Sequence, residues 1–156
     1  MPNLKNEIEK LWKGKLIYQS ANEDFTRSHS FNAAMRQSTS GLIHLCDADM
    51  SFPSHLVKSI NRYCTKYSAW FPHVWYRNED GSGRFYTEST GMMACRREDY
   101  VLCGGLDERI KTWGKEDWLF FFEFYKNGLA GMRSNEKDFV HHYHPSLKPE
   151  NFEPLF

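Results

Sequence analysis

Between Glu116 and Asn127 the chain carries Trp118, Leu119, Phe120, Phe121, Phe122, Phe124 and Tyr125, which leave hardly a polar side on a helix of that length. A helix that is apolar nearly all round has to be buried, so this segment predicts a core helix, stopped by Gly128. The rest of the chain must supply the layers around it. With 156 residues, 40% hydrophobic and 16% aromatic, there is material for one packed domain and no case for disorder.

The remaining pattern reads as alternating helix and strand. Leu4, Ile8, Leu11 and Trp12 fall at helical spacing over residues 3–12, and Gly14 ends that run. KLIYQSA (15–21) reads as a buried strand. Phe31, Ala34 and Met35 mark a helix over roughly 27–38. GLIHLCDADM (41–50) is an apolar strand ending in acids, with His44 in its core. Pro53 suits a helix start, and Leu56, Val57, Ile60, Tyr63 and Cys64 line one face after it. Residues 68–77 look extended, and EDGSG (79–83) is a turn. RREDYVLCGG is a short helix closed by Gly104 and Gly105. A last strand runs near 138–144, and residues 147–156 form an irregular, proline-punctuated tail. This order predicts an α/β fold with a partly parallel sheet. Ligands in such folds gather at strand carboxyl ends, where the acids after Cys46 sit.

Lys+Arg and Asp+Glu are both 20, a zero balance that gives no reason to expect nucleic acid or an acidic membrane as partner. No stretch approaches the roughly 20 apolar residues that span a bilayer, and the opening MPNLKNEIEK predicts neither anchor nor signal peptide. Cys46, Cys64, Cys95 and Cys103 form no CxxC pair, which disfavours a zinc ribbon. An oxidising compartment would allow disulfides among them, with three possible connectivities.

Four clusters carry chemistry. Asp47 and Asp49 are hard oxygen ligands at a strand end, suited to Mg²⁺ or Mn²⁺ and to the diphosphate such an ion holds. They fit equally a solvated turn that caps the next helix. Trp113-Gly114-Lys115-Glu116-Asp117 offers an indole for stacking on sugar and two acids, either able to take a hydroxyl proton. The plain alternative is acids complementing a helix dipole and a core tryptophan. His141-His142-Tyr143-His144 supplies imidazoles for Mn²⁺ or Zn²⁺. On a regular strand His142 and His144 share a face and His141 points away, and an exposed edge strand would look the same. Asp24-Phe25-Thr26-Arg27 could place a guanidinium on phosphate and a ring on a base, or be a surface salt bridge.

The order of these blocks is specific. DFTRSHSFNAAM, LIHLCDADMSFPSHL, GMMACRREDYVLCGGLDERIKTWGKEDWLFFFEFYKNGL and MRSNEKDFVHHYHPS follow one another over residues 16–146. The series resembles the catalytic domain of the chondroitin N-acetylgalactosaminyltransferase and chondroitin synthase family, which has FSR, CDVD, GGFD–WGxED and VHxYHP blocks in this order. Similar blocks occur in β-1,4-galactosyltransferases. The resemblance implies a GT-A-like mixed sheet flanked by helices, a UDP-sugar donor, a glycan acceptor of glycosaminoglycan type, Mn²⁺, and inversion at the anomeric carbon.

Carried over by position, Asp49 and His144 would ligate the metal with His141 nearby, and Asp47 would face the diphosphate or ribose. Asp117 would be the catalytic base and Glu116 would hold a sugar. Trp113 would lie over the donor, and Phe25 and Arg27 would contact the nucleotide. His142 matches no family ligand. GGLD replaces GGFD, Trp118 stands where another acid is common, and Lys115 stands where glycine is common. Set against the family, residues 1–146 read as a partial catalytic domain lacking the N-terminal β-α-β nucleotide-binding portion. On the same comparison the expectation is that the membrane anchor and stem that place the family in the Golgi are absent too. The expectation is therefore reduced activity from these residues alone. Galactose transfer, or a non-catalytic partner that forms a hetero-oligomer with a related synthase subunit, are the alternative readings.

Overall fold

The computed structural model describes residues 4–17, 26–111 and 114–145. Its elements are α1 (Leu4–Leu11), α2 (Arg27–Gln37), β1 (Leu42–Leu45), β2 (Met50–Ser51), α3 (Leu56–Tyr63), β3 (Ser68–Trp70), β4 (His73–Arg77), β5 (Gly83–Tyr86), β6 (Met93–Arg96), α4 (Arg97–Leu102), α5 (Glu116–Lys126), β7 (Ala130–Met132) and β8 (Asn135–His141). Two four-stranded mixed sheets result, ordered β1-β6-β3-β7 and β2-β8-β4-β5. In each, the strand that follows α5 pairs in parallel, β7 with β3 and β8 with β4, and the other pairings are antiparallel. The expected α/β architecture with partly parallel strands is present.

The core lies where α5 crosses the first sheet. Phe120 and Phe124 pack with Phe71, Leu45, Met93, Cys95 and Tyr100, and Phe71 meets Phe124 edge-on with centroids 5.7 Å apart. Full burial of a phenylalanine stabilises by about 1.5–3 kcal/mol, so these rings fix where α5, and the acids that open it, must sit. A second cluster joins Val74, Met92 and Phe139 between the second sheet and the segment carrying the acids. A register irregularity in β8 between the partners of Val74 and Trp75 accompanies the placement of Phe139 in that cluster.

Several expectations need correction. α5 is not buried on every side: Leu119, Phe122 and Tyr125 are about half exposed. They recur at three-residue spacing on the side turned away from Phe120 and Phe124, and composition alone does not show that only one face meets the sheet. No strand forms over residues 15–17, where Ile17 is exposed, and residues 18–21 lie outside the described set. Val57 faces solvent while Leu56, Ile60 and Tyr63 pack inward. The final strand starts at Asn135 and stops at His141. β6 and β7 were not read from the sequence, because runs of four and three residues are too short to show a period. The four cysteines are free thiols. The C-terminal tail over 147–156 lies outside the described residues. No helix among the described residues is long and apolar enough to cross a membrane.

Candidate metal and transfer site

The acids after β1 come to the histidines through a short antiparallel ladder. Met50 pairs with His141 and Ser51 with Val140, and the His142 amide donates to the Asp49 carbonyl at 3.0 Å. Asp49 Oδ2 then lies 3.1 Å from His144 Nε2 and 3.4 Å from His141 Nε2. The strand geometry expected over 138–144 would have put His141 and His144 on opposite faces. Because β8 ends at His141, the chain turns and brings His144 back beside it, their ring centroids 5.2 Å apart. His142 goes elsewhere, bonding to the Ser51 hydroxyl. Tyr76 of β4 stacks on His141 at 4.2 Å and holds its ring plane.

One ligand atom from each of Asp49, His141 and His144 lies within 4.8 Å of the others. The donor set fits a divalent cation on two grounds. His144 Nδ1 faces the Pro145 carbonyl at 3.0 Å, and a carbonyl only accepts, so Nδ1 carries the proton. In the neutral ring Nε2 and Asp49 Oδ2 are then two acceptors face to face, which requires a proton or a cation between them. Secondly, two donors each about 2.1 Å from one ion stand about 3.0–3.4 Å apart, the range seen here. Asp49 Oδ1 is buried without a partner among the described residues. Two imidazoles and a carboxylate suit Mn²⁺ or Zn²⁺ better than Mg²⁺ or Ca²⁺. Burial lowers the His141 pKa and His144 adds to this, while Asp49 opposes it.

The second arm of the site is built around Arg27. Thr26 caps α2, its hydroxyl accepting from the His29 amide at 3.2 Å, and this sets Arg27 at the first helical position. The guanidinium donates to Asp47 through Nε (2.9 Å) and Nη2 (3.3 Å), to Glu116 Oε1 through Nη1 (3.1 Å), and to the Gly91 carbonyl through Nη2 (2.7 Å). Four of its five N–H groups are thus committed to the protein. Burial pulls its pKa down, but Asp47, Asp117 and Glu116 outweigh that and the net shift is upward. Asp47 therefore faces Arg27 while Asp49 faces the histidines, and the two acids of the motif have different partners.

Glu116 is 4% exposed, and its Oε2 is buried without a partner among the described residues. Asp117 is half-buried and accepts from the Thr90 hydroxyl at 3.0 Å. Gly114 and Lys115, both at positive φ (88° and 80°), form the bend that swings these acids inward. That explains why glycine suits position 115, since a side chain is strained there. Burial pushes the Tyr76 hydroxyl up to about 12, helped by Tyr86, Asp47, Asp49 and Asp117. Tyr76 thus sits in the common field of both arms. Phe25 and Trp113 lie outside the described residues. Thr90 and Gly91 were missed by the sequence reading. Nothing about those residue types suggests a site.

The fold is that of a GT-A glycosyltransferase. It matches the crystal structure of the catalytic domain of Drosophila β1,4-galactosyltransferase 7, solved in complex with xylobiose, with TM-score 0.60 and 18% sequence identity. The match covers 85% of this chain and 57% of that one. More particularly, residues 3–154 match the family described as Chondroitin N-acetylgalactosaminyltransferase, and the chain belongs to it. Chondroitin sulfate N-acetylgalactosaminyltransferase 2 of Homo sapiens is 24% identical over 159 residues, covering 86% of this chain and 29% of that protein. N-acetyl-beta-glucosaminyl-glycoprotein 4-beta-N-acetylgalactosaminyltransferase 1 of Mus musculus is 29% identical over 113 residues, covering 67% and 11%. The chain thus spans less than a third of the length of these curated relatives.

Proposed function

We propose that the chain carries the metal-binding and catalytic portion of an inverting glycosyltransferase that moves N-acetylgalactosamine from a UDP-sugar to a chondroitin-type glycan acceptor. The observation that carries this reading is the convergence of two arms on one region: Asp49, His141 and His144 on one side, Glu116 and Asp117 on the other, with Arg27, Asp47 and Tyr76 between. Membership of the family supports the donor and acceptor classes.

Asp49, His141 and His144 would hold the cation, with Mn²⁺ the ion we favour. When bound, it supplies Lewis-acid neutralisation of the leaving diphosphate. Asp117 takes the proton of the acceptor hydroxyl as that oxygen attacks the anomeric carbon from the face opposite UDP. A single displacement inverts the centre. Arg27 keeps Asp47 and Glu116 in place, and the one guanidinium N–H uncommitted among the described residues is the group that would meet a phosphate. Trp113 and Phe25 complete the donor site in this reading, and residence in the Golgi is part of the same proposal.

The test is incubation with UDP-N-acetylgalactosamine, a chondroitin oligosaccharide and Mn²⁺, with the product read by mass spectrometry. Transfer that fails in Asp117→Asn while Mn²⁺-dependent UDP binding persists supports the assignment. Normal turnover in that variant removes Asp117 from the role. UDP-galactose run in parallel separates the hexosamine reading from galactose transfer, and absence of any UDP binding by calorimetry would favour the non-catalytic partner instead.

A further inference from the structure

The segment between β5 and β6 does something that neither the motifs nor the family blocks assign. Thr90 is 1% exposed, so its hydroxyl is committed to the interior, and it donates to Asp117 Oδ2 at 3.0 Å. The next residue acts on the opposite group. The Gly91 carbonyl accepts from Arg27 Nη2 at 2.7 Å. A Cβ at position 91 would stand 3.2 Å from Nη2 and 3.4 Å from Asp117 Oδ2. One dipeptide therefore contacts both the carboxylate and the guanidinium, and a side chain at position 91 would crowd the guanidinium.

We propose that Thr90 is the positioning residue for Asp117: its hydroxyl holds Oδ2 and leaves Oδ1 as the oxygen that receives the acceptor's proton. This rests on the transferase reading given above. An aspartate carboxylate rotates about a broad, two-fold torsion, so either oxygen could otherwise present itself. Among the described residues, Oδ2 is the Asp117 oxygen with a hydrogen bond. The buried donor pins the plane of the carboxylate, and a base whose oxygen is preset in a near-attack arrangement gains rate without gaining ground-state affinity. In the step itself the acceptor O–H proton passes to Oδ1 and the acceptor oxygen bonds to the anomeric carbon. The bond from that carbon to the diphosphate oxygen breaks, and its electron pair leaves with UDP. The Thr90 proton stays on Thr90 throughout.

The experiment compares the wild-type chain with Thr90→Val, Thr90→Ala and Thr90→Ser. The readouts are the melting temperature, kcat and KM for acceptor with UDP-N-acetylgalactosamine and Mn²⁺, and the ¹³Cγ resonance of Asp117. Thr90→Val should lower kcat by about tenfold to a hundredfold with KM within twofold. It should also move the Asp117 resonance, and Thr90→Ser should restore both. Thr90→Ala gives the same comparison should the valine variant not fold. A folded valine or alanine variant with wild-type kcat overturns the proposal, as does a serine variant that restores nothing. If the wild-type chain transfers no sugar, the transferase reading has failed, and the resonance alone decides the Thr90 contact. A shift on removing the hydroxyl that serine reverses supports it, and an unmoved signal refutes it.

Discussion

Replacing Arg27 with methionine tests how the two arms of the site are held together. The guanidinium is 20% exposed, and it neutralises Glu116, whose side chain is 5% exposed, together with Asp47 at 39%. Methionine keeps the aliphatic bulk against Phe31, over which the guanidinium carbon lies at 4.8 Å, and removes the charge. Glu116 would then be buried with both oxygens unpartnered among the described residues, where Oε2 has no partner already. Removing one member of a buried ion pair costs about 3–5 kcal/mol, most of it the penalty on the charge left behind. For a chain of this size that is roughly 6–20 °C of melting temperature, at about 2–4 °C per kcal/mol. The Asp47 contact adds little, because a pair this exposed is worth at most about 1 kcal/mol. Urea unfolding at pH 7 of the wild type, R27M, E116Q and R27M/E116Q gives the full cycle. The double variant should recover more than half of the R27M loss, because glutamine removes the stranded charge. An R27M variant within about 1 kcal/mol of wild type, or an E116Q change that recovers nothing, would refute this account of what joins α2 to α5.

Other consequences can be measured separately. Burial lowers the His44 pKa from 6.5 to about 4, so folding favours its neutral form. That stability is complete above pH 6.5 and is lost as pH falls towards 4, an effect on the order of 3 kcal/mol, and His44→Leu should flatten the denaturation curve across that window. Lys115 at φ 80° should be relieved by Lys115→Gly, raising stability by about 1 kcal/mol in chemical unfolding. Asn32 accepts from the Tyr100 hydroxyl (2.6 Å) and the Leu106 amide (3.1 Å) and donates to the Leu106 carbonyl (2.8 Å) and Glu108 (2.9 Å). Asn32→Ala should therefore cost about 2–4 kcal/mol, a loss that equal unfolding midpoints would contradict.

Local features of this protein were legible in the sequence and pairings were not. The helix opened by Glu116 and Asp117 and its stop at Gly128 each rest on a few adjacent residues, and each is present. The strand expected over 41–50 is present only as β1 (Leu42–Leu45), and Asp47 and Asp49 lie in the turn between it and β2. The meeting of Asp49 with His141 and His144 depends on β2 pairing with β8. β2 is two residues long, too short to carry any period, so only the resemblance brought those residues together. The reading of residues 138–144 as a regular strand failed for a related reason, since where a strand ends decides which histidines share a side. Arg27 was legible as an anion binder, but its anions turned out to be the protein's own carboxylates. Thr90 carries no sequence signal, because a threonine becomes informative only once the aspartate it meets is known.

The proposed chemistry needs Asp49, His141 and His144 to grip one divalent cation, and Mn²⁺ titration followed by electron paramagnetic resonance in the presence of UDP measures that directly. The wild-type chain should take up one Mn²⁺ with imidazole nitrogen couplings, and Asp49→Ala and His144→Ala should each lose it. Uptake that is unchanged in both variants, or a bound ion with no nitrogen coupling, would contradict the assignment.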